Sequence, residues 1–150
     1  RISLTRVVAA FLDFLIFFLE RTIMNLALYI LMRNDLDSLT SGRKMAQASH
    51  ASNAFVNQVS PANEQYVEWK NSTRQGFGTA IVLSVTEKEL NDVVRLAESF
   101  GMESGKVVDP CYRVVDGLSE HYLPVVTCGF VFGDRDSKEL KELTQHFELS

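Results

Sequence analysis

The strongest constraint on the fold of this chain is a strand, a turn and a helix that follow one another directly within residues 26–51. Leu26 to Met32 is continuously apolar, which is typical of a strand buried on both faces. After a polar turn, Gly42 to Ala51 is rich in alanine and serine, so the helix that it predicts can pack unusually close to its neighbours. This order of elements favours an α/β domain.

Side-chain spacing predicts two faces for this helix. Arg43, Gln47 and His50 recur at i, i+4 and i+7, so a cation, an amide and an imidazole are expected on one face. The opposite stripe is apolar or small and is expected to pack on the sheet: Met45, Ala48, Ser52, Phe55 and Val59. A polar row near a helix N-terminus suits an anion or a polar backbone as ligand.

The same segment resembles the signature of the type 2 (archaeal and eukaryotic-type) peptidyl-tRNA hydrolases. In that family a strand ends in Arg-Thr-Asp-Leu and a helix begins Gly-Lys-x-Ala-Ala-Gln-x-Ser-His-Ala. The corresponding stretches here are Arg33 to Leu36 and Gly42 to Ala51. The resemblance runs from about Met24 to the C-terminus. It implies one α/β domain over residues 24–150, with a mixed sheet of about four strands flanked by helices.

The resemblance implies an enzyme that hydrolyses the ester bond of peptidyl-tRNA, with an activated water and without a metal or cofactor. Such chemistry needs a positioned water, a group that orients it, and donors for the developing oxyanion. Arg43 and Asp109 are the expected catalytic residues. The expected substrate-binding residues are Lys44, Gln47, His50, Arg113 and Thr127.

Other kinds of site find no support in the sequence. Gly76 and Gly78 precede a strand rather than open a helix, so they do not form a phosphate-binding loop. A Gly-x-Ser-x-Gly nucleophile motif is absent. The histidines His50, His121 and His146 have no metal-ligand spacing with one another or with cysteine.

The chain also departs from the family signature. Arg43 replaces the usual lysine, which keeps the charge but not the compact ammonium. After Asp109 the family has Ala-Gly-x-Thr, whereas this chain has Pro110-Cys111-Tyr112-Arg113, so Arg113 stands where a threonine is expected. A catalytically reduced relative that binds tRNA or a protein through the same face is therefore an open alternative. Asp109 before a proline is also a common turn former, and His50 also fits a packed, hydrogen-bonded histidine.

Charge and cysteine content bear on partners and compartment. The net charge of −4 gives no general field for nucleic acid, so tRNA binding requires a local basic patch. Its candidate members are Arg33, Arg43, Lys44, Lys70, Arg74 and Arg113. The two cysteines have no metal or redox spacing and fit a reducing cytoplasm. Peptidyl-tRNA is the expected partner, and a homodimer is left open.

The first residues form an apolar segment that the family signature does not include. Val7 to Leu19 is nearly all apolar but is interrupted by Asp13 and is short for a bilayer span. We expect residues 1–23 to form an extra N-terminal helix or a non-core segment. A membrane contact through residues 7–19 is the less favoured alternative, which would make the protein a membrane-tethered interaction module.

The remaining elements follow from apolar periodicity, capping residues, glycine and proline. Pro110 to Tyr122 is expected to be a loop. The predicted strands are Thr79 to Val85, Lys106 to Asp109, Val125 to Phe132, and a short edge strand at Phe147 to Leu149. The first predicted helix starts at a cap of Thr40 or Ser41 and runs to about Val59. The second is capped by Ser60 and continues through Trp69. The third begins with a capping box of Thr86 and Glu89 and ends at Gly101, and the last runs from Asp136 or Ser137 through Leu143.

Overall fold

The computed structural model describes residues 7–9, 11–12 and 24–150. Its four named strands are β1 (Leu26–Arg33), β2 (Thr79–Val85), β3 (Glu103–Asp116) and β4 (Ser119–Asp134). They form one sheet in the order β2-β1-β4-β3. β1 is parallel to β2 and antiparallel to β4, and β4 is antiparallel to β3. The predicted α/β fold with a four-stranded mixed sheet is confirmed.

Helices cover both faces of this sheet. α1 (Ser41–Gln58) and α2 (Glu64–Asn71) pack on one face, and α3 (Glu87–Ser99) and α4 (Lys138–Thr144) pack on the other. Alternate residues of β1 enter the two cores: Leu28, Ile30 and Met32 on the α1 side, Ala27, Tyr29 and Leu31 on the α3 side. Every residue of β1 is buried, which explains the unbroken apolar sequence from Leu26 to Met32.

The helix starts test the capping predictions. α3 begins as expected, because the Thr86 side chain accepts from Glu89 N–H and the Glu89 carboxylate accepts from Thr86 N–H at 2.7 Å. The prediction that Ser60 caps the second helix is wrong. Ser60 Oγ instead accepts from Ala62 N–H in a preceding turn, and Asn63 caps α2 by accepting from Tyr66 N–H at 3.1 Å.

The loop predicted for residues 110–122 is instead a long β-hairpin. β3 and β4 pair out to Asp116 and Ser119, and only Gly117 and Leu118 form the turn. Gly117 has φ +58, which glycine adopts without strain at such a turn. The two prolines suggested a loop, but Pro110 and Pro124 lie where the register skips, so no ladder hydrogen bond is lost at either.

A buried ion-pair network closes the C-terminal end of β1. Arg33 is 6% exposed and contacts Asp35 at 2.8 Å, Glu87 at 3.1 Å and the Val126 carbonyl oxygen at 2.9 Å. Burial acts to raise the pKa of Asp35, but hydrogen bonds from Arg33 and from Glu87 N–H outweigh it, so the pKa is lowered. Arg33 is thus neutralised inside the fold and does not contribute to a basic surface patch.

The C-terminal residues run beside β2. Leu149 forms a single antiparallel bridge with Leu83, flanked by hydrogen bonds from Ser84 N–H to the Glu148 carbonyl and from Ser150 N–H to the Val82 carbonyl. Among the described residues, the edge strand predicted at Phe147 to Leu149 is therefore a single bridge.

Only part of the predicted N-terminal apolar segment is described. Residues 7–9 and 11–12 are helical, and Val7, Val8, Phe11 and Leu12 have exposed side chains. The rest of residues 1–23, and with it most of the predicted membrane contact at 7–19, lies outside the described residues. Among the residues that are described, no helix has the length and apolarity to cross a membrane.

Candidate active site

A chain of hydrogen bonds links Asp109, Gln47 and Thr127 between α1 and the sheet. Thr127 Oγ1 donates to Gln47 Oε1 at 2.7 Å, and Gln47 Nε2 donates to Asp109 Oδ2 at 3.3 Å. Thr127 is fully buried and Gln47 is 7% exposed, whereas Asp109 is half-buried. The carboxylate is therefore the member of the chain that meets solvent.

The orientation of the Gln47 amide follows from its two partners. An ionised carboxylate only accepts hydrogen bonds, so Asp109 requires the amide nitrogen of Gln47 to face it. The amide oxygen then faces Thr127, whose hydroxyl donates. The Cys128 thiol also donates to the Gln47 carbonyl oxygen at 3.3 Å, which ties this turn of α1 to β4. Burial raises the pKa of the Cys128 thiol to about 11, so it stays protonated as a donor.

Two irregularities in the β3–β4 pairing bring these side chains to the same face. Val107 pairs with Cys128, but the next residue, Val108, pairs with Val126. Thr127 is therefore an extra residue in β4, without a partner in β3. As a result, both Thr127 and Cys128 contact α1 instead of alternating across the sheet. A β-bulge of this kind re-aims a side chain, and here it directs the Thr127 hydroxyl at Gln47.

The second irregularity shapes the strand around Asp109. Asp109 pairs with Val125, and the next pair is Tyr112 with Leu123. Two residues of β3 therefore lie opposite one residue of β4, so β3 holds one extra residue here. Asp109 Oδ1 accepts from Cys111 N–H at 3.0 Å, which closes a tight turn over Pro110. The extra residue places Tyr112, rather than Cys111, on the same face as Asp109.

Arg43 lies one helical turn before Gln47 and is held by the residues around Tyr112. Its Nη1 donates to the Ser38 carbonyl oxygen at 3.1 Å, and its guanidinium carbon lies 5.6 Å from the centre of the Tyr112 ring. The Tyr112 hydroxyl and Ser38 Oγ are hydrogen-bonded at 2.8 Å. Arg43 contacts Tyr112, which shares a sheet face with Asp109, and Asp109 in turn contacts Gln47 on the same helix as Arg43. Both side chains therefore lie on the α1 side of the sheet.

The sequence model of the family described as Peptidyl-tRNA hydrolase PTH2 matches residues 26–150, which include all four strands. The chain belongs to the PTH2 family of peptidyl-tRNA hydrolases. No curated protein matches the chain.

A solved structure is also similar to this PTH2 chain. It is a protein of unknown function from Agrobacterium tumefaciens strain C58, with 12% sequence identity and a TM-score of 0.53. The match covers 84% of this chain and 98% of that one. At this identity the likeness concerns the fold alone, and it agrees with the α/β architecture described above.

The predicted division of α1 into a polar face and a sheet-facing stripe is only partly right for this PTH2 chain: Phe55 and Val59 are buried and Ala48 packs against them, but Gln47 of the polar face is buried too. Gln47, Ala51 and Phe55 are the buried residues, at i+4 spacing, while Met45 is 69% exposed and His50 is also exposed. The small Ala51 lets the helix approach the sheet, and the hydrogen bonds with Thr127 and Asp109 offset the burial of the Gln47 amide. His50 consequently lies outside the group formed by Arg43, Gln47 and Asp109, and it is not the packed histidine considered above.

Two other predicted substrate-binding residues lie away from Asp109. Lys44 lines a separate cavity of about 320 Å³ on the β2 side of α1, together with Met32, Met45 and Val82. Arg113 is exposed and forms an ion pair with Glu120 within the hairpin. Because strand residues alternate, Arg113 lies on the sheet face opposite that of Tyr112. Neither Arg33 nor Arg113 is therefore available to the predicted basic patch.

Sequence reasoning missed Ser38 and Tyr112. Simple alternation from Asp109 would place Cys111 and Arg113 on the α1 side, and only the extra residue after Pro110 brings Tyr112 there. The available signal was Pro110 itself, since a proline inside a strand marks an edge or a bulge. The contact of Ser38 depends on the fold of the turn before α1, which has no comparable signal.

Proposed function

We propose that this protein hydrolyses the ester bond of peptidyl-tRNA, releasing the peptide and free tRNA. The observation that supports it best is the half-buried Asp109, held by Cys111 N–H and by Gln47, which lies one helical turn after Arg43. PTH2 family membership supports the same substrate and reaction.

In this proposal the Asp109 carboxylate is the general base. Each of its oxygens accepts one hydrogen bond from the protein, which leaves lone pairs on the solvent side to bind and deprotonate a water. That water attacks the ester carbonyl carbon, the bond to the ribose oxygen then breaks, and the ribose oxygen leaves as a hydroxyl with the proton that Asp109 took from the water. Thr127 does not contact the substrate but keeps the Gln47 amide in place.

Arg43 supplies the positive charge of the proposed site. Apart from the bond to Ser38, its guanidinium retains further N–H donors for a phosphate of the tRNA or for the developing oxyanion. One N–H of the Gln47 amide is bound to Asp109. In this proposal the other N–H donates to the carbonyl oxygen of the ester. Together these groups meet the needs of ester hydrolysis without a covalent nucleophile.

The test is turnover of purified peptidyl-tRNA by matched aspartate variants. We expect Asp109→Asn to lower kcat by at least about 100-fold, because the amide cannot take a proton from water. Asp116→Asn, at the exposed hairpin turn, is the control and should match the wild type. Equal activity of the two variants would contradict the assignment of Asp109.

A second candidate function is binding without turnover. The replacement of the usual family lysine by Arg43 favours it, because an arginine does not give up its proton. Retained binding of peptidyl-tRNA by the wild type with no release of peptide would support this alternative and remove the enzyme proposal.

We further propose that residues 24–150 form the functional domain and that residues 1–23 stand outside it. The family match begins at residue 26, next to the start of β1. A version that begins at Met24 should retain full turnover. Lipid flotation of the whole chain against this version tests the membrane-tethered alternative, which requires that only the whole chain float. We also propose a cytoplasmic location, because the proposed substrate is peptidyl-tRNA. The homodimer that the sequence analysis left open stays a prediction.

A further inference from the structure

We propose that Tyr112 is a positioning residue that fixes the Arg43 guanidinium on the side of the sheet that also carries Asp109. This inference rests on the proposed function and extends it to a residue of the hairpin, where the sequence departs from the family signature. Tyr112 is 2% exposed, and both its ring and its hydroxyl are engaged around Arg43.

The contacts form a closed triangle. Arg43 donates to the Ser38 carbonyl oxygen, Ser38 Oγ binds the Tyr112 hydroxyl, and the Tyr112 ring lies 5.6 Å from the guanidinium carbon. Each member is thus held by the other two. An arginine side chain has many rotamers. Because the triangle restricts Arg43 before the substrate arrives, less conformational entropy is lost when the substrate binds.

The triangle also explains how an arginine fits a position that the family signature gives to lysine. A guanidinium is planar and stacks on an aromatic face while keeping its donors in a fixed fork, which an ammonium does not do. The extra residue after Pro110 is what brings the Tyr112 ring to the α1 side. Arg43 departs from the family signature, whereas Tyr112 occupies a position that the signature leaves open, and in this proposal the role of Arg43 depends on Tyr112.

The experiment compares Tyr112→Phe with Tyr122→Phe. Phenylalanine at 112 keeps the buried volume and removes only the bond to Ser38, while Tyr122 is 58% exposed in the same hairpin and serves as the matched control. With peptidyl-tRNA as substrate, Tyr112→Phe should raise KM about threefold with little change in kcat, and Tyr112→Leu about tenfold, since the cation–π contact is lost as well. Tyr122→Phe should change neither.

A double-mutant cycle separates positioning from a merely structural role. In an Arg43→Gln background, Tyr112→Phe should have no further effect on KM, because the group that it positions is gone. An unchanged threefold effect in that background would overturn the proposal, as would equal KM values for Tyr112→Phe and the wild type. Thermal unfolding of each variant shows whether Tyr112→Leu has simply lost its fold; Tyr112→Phe keeps the test valid in that case.

A second readout distinguishes failure of this inference from failure of the proposed function. The Nε–Hε NMR signal of Arg43 should carry a ring-current shift in the wild type that Tyr112→Leu removes and Tyr122→Phe leaves unchanged. If the wild type binds tRNA without turnover, the hydrolase proposal fails, while the same variants in a tRNA-binding assay still decide the role of Tyr112. An Arg43 signal insensitive to Tyr112, or a wild type that neither binds nor cleaves, overturns the positioning role.

Discussion

The Thr127 hydroxyl offers a quantitative test of the buried part of the site. Thr127→Val keeps the size and branching of the side chain but removes the donor to Gln47 Oε1, 2.7 Å away. Thr127 is fully buried and Gln47 nearly so, so the amide oxygen loses its partner without gaining water. Leaving a buried acceptor unsatisfied costs about 1–3 kcal/mol.

That cost translates into a measurable fall in Tm. For a domain of this length, 1 kcal/mol corresponds to about 2–4 °C, so Thr127→Val should lower Tm by about 2–12 °C. The freed Gln47 amide also ceases to fix Asp109, and turnover should fall about tenfold. Calorimetry and the peptidyl-tRNA assay measure the two effects on the same protein.

Thr144→Val is the matched control. Thr144 is also buried and its hydroxyl also donates at 2.7 Å, but to the Leu140 carbonyl oxygen inside α4. That oxygen keeps its helical N–H partner after the substitution, so the cost should stay within about 1 kcal/mol, with no effect on turnover. Equal losses of stability and activity in the two variants would refute the view that Gln47 depends on Thr127.

Three further outcomes follow from the structure. Gly78→Ala should destabilise the fold by several kcal/mol, since the new Cβ would lie 2.5 Å from both the side chain and the carbonyl oxygen of Trp69. Chemical denaturation measures the change in the free energy of unfolding, and a change below about 1 kcal/mol would contradict this prediction. The lowered pKa of Asp35 predicts that its contribution to stability is present above the usual carboxyl pKa and is lost as pH falls through the lowered value; Asp35→Asn should therefore flatten the acid side of the stability profile. Iodoacetamide at pH 8 should modify the exposed Cys111 and spare the buried Cys128, whose pKa is raised to about 11; mass spectrometry showing two adducts on folded protein would refute this.

The sequence allowed the central elements of the fold to be predicted because their signals are local. The unbroken apolar run of β1 reflects burial on both faces, and the Thr86–Glu89 capping box marks the start of α3 directly. The β3–β4 hairpin was missed because Pro110 and Pro124 have the strand-breaking property that usually indicates a loop. Their placement opposite one another, where pairing skips, is a tertiary feature.

Only part of the membership of the candidate site could be predicted from the sequence, and its geometry could not. The family signature predicted that Arg43, Gln47 and Asp109 belong to one site, and their contacts in the structure are consistent with that prediction. The facing of side chains was not predictable, because one extra residue in each strand changes which neighbours share a face. Because of this shift, Tyr112 lies on the same face of the sheet as Asp109, and Arg113 lies on the opposite face.

The most direct test of the proposed chemistry is hydrolysis of peptidyl-tRNA in ¹⁸O-labelled water. If Asp109 activates a water that attacks the ester carbonyl, wild-type protein should release peptide with one ¹⁸O in its new carboxylate, and the ribose of the tRNA should remain unlabelled. Label on the tRNA would place the attack elsewhere. No release of peptide by correctly folded protein would contradict the account at its centre.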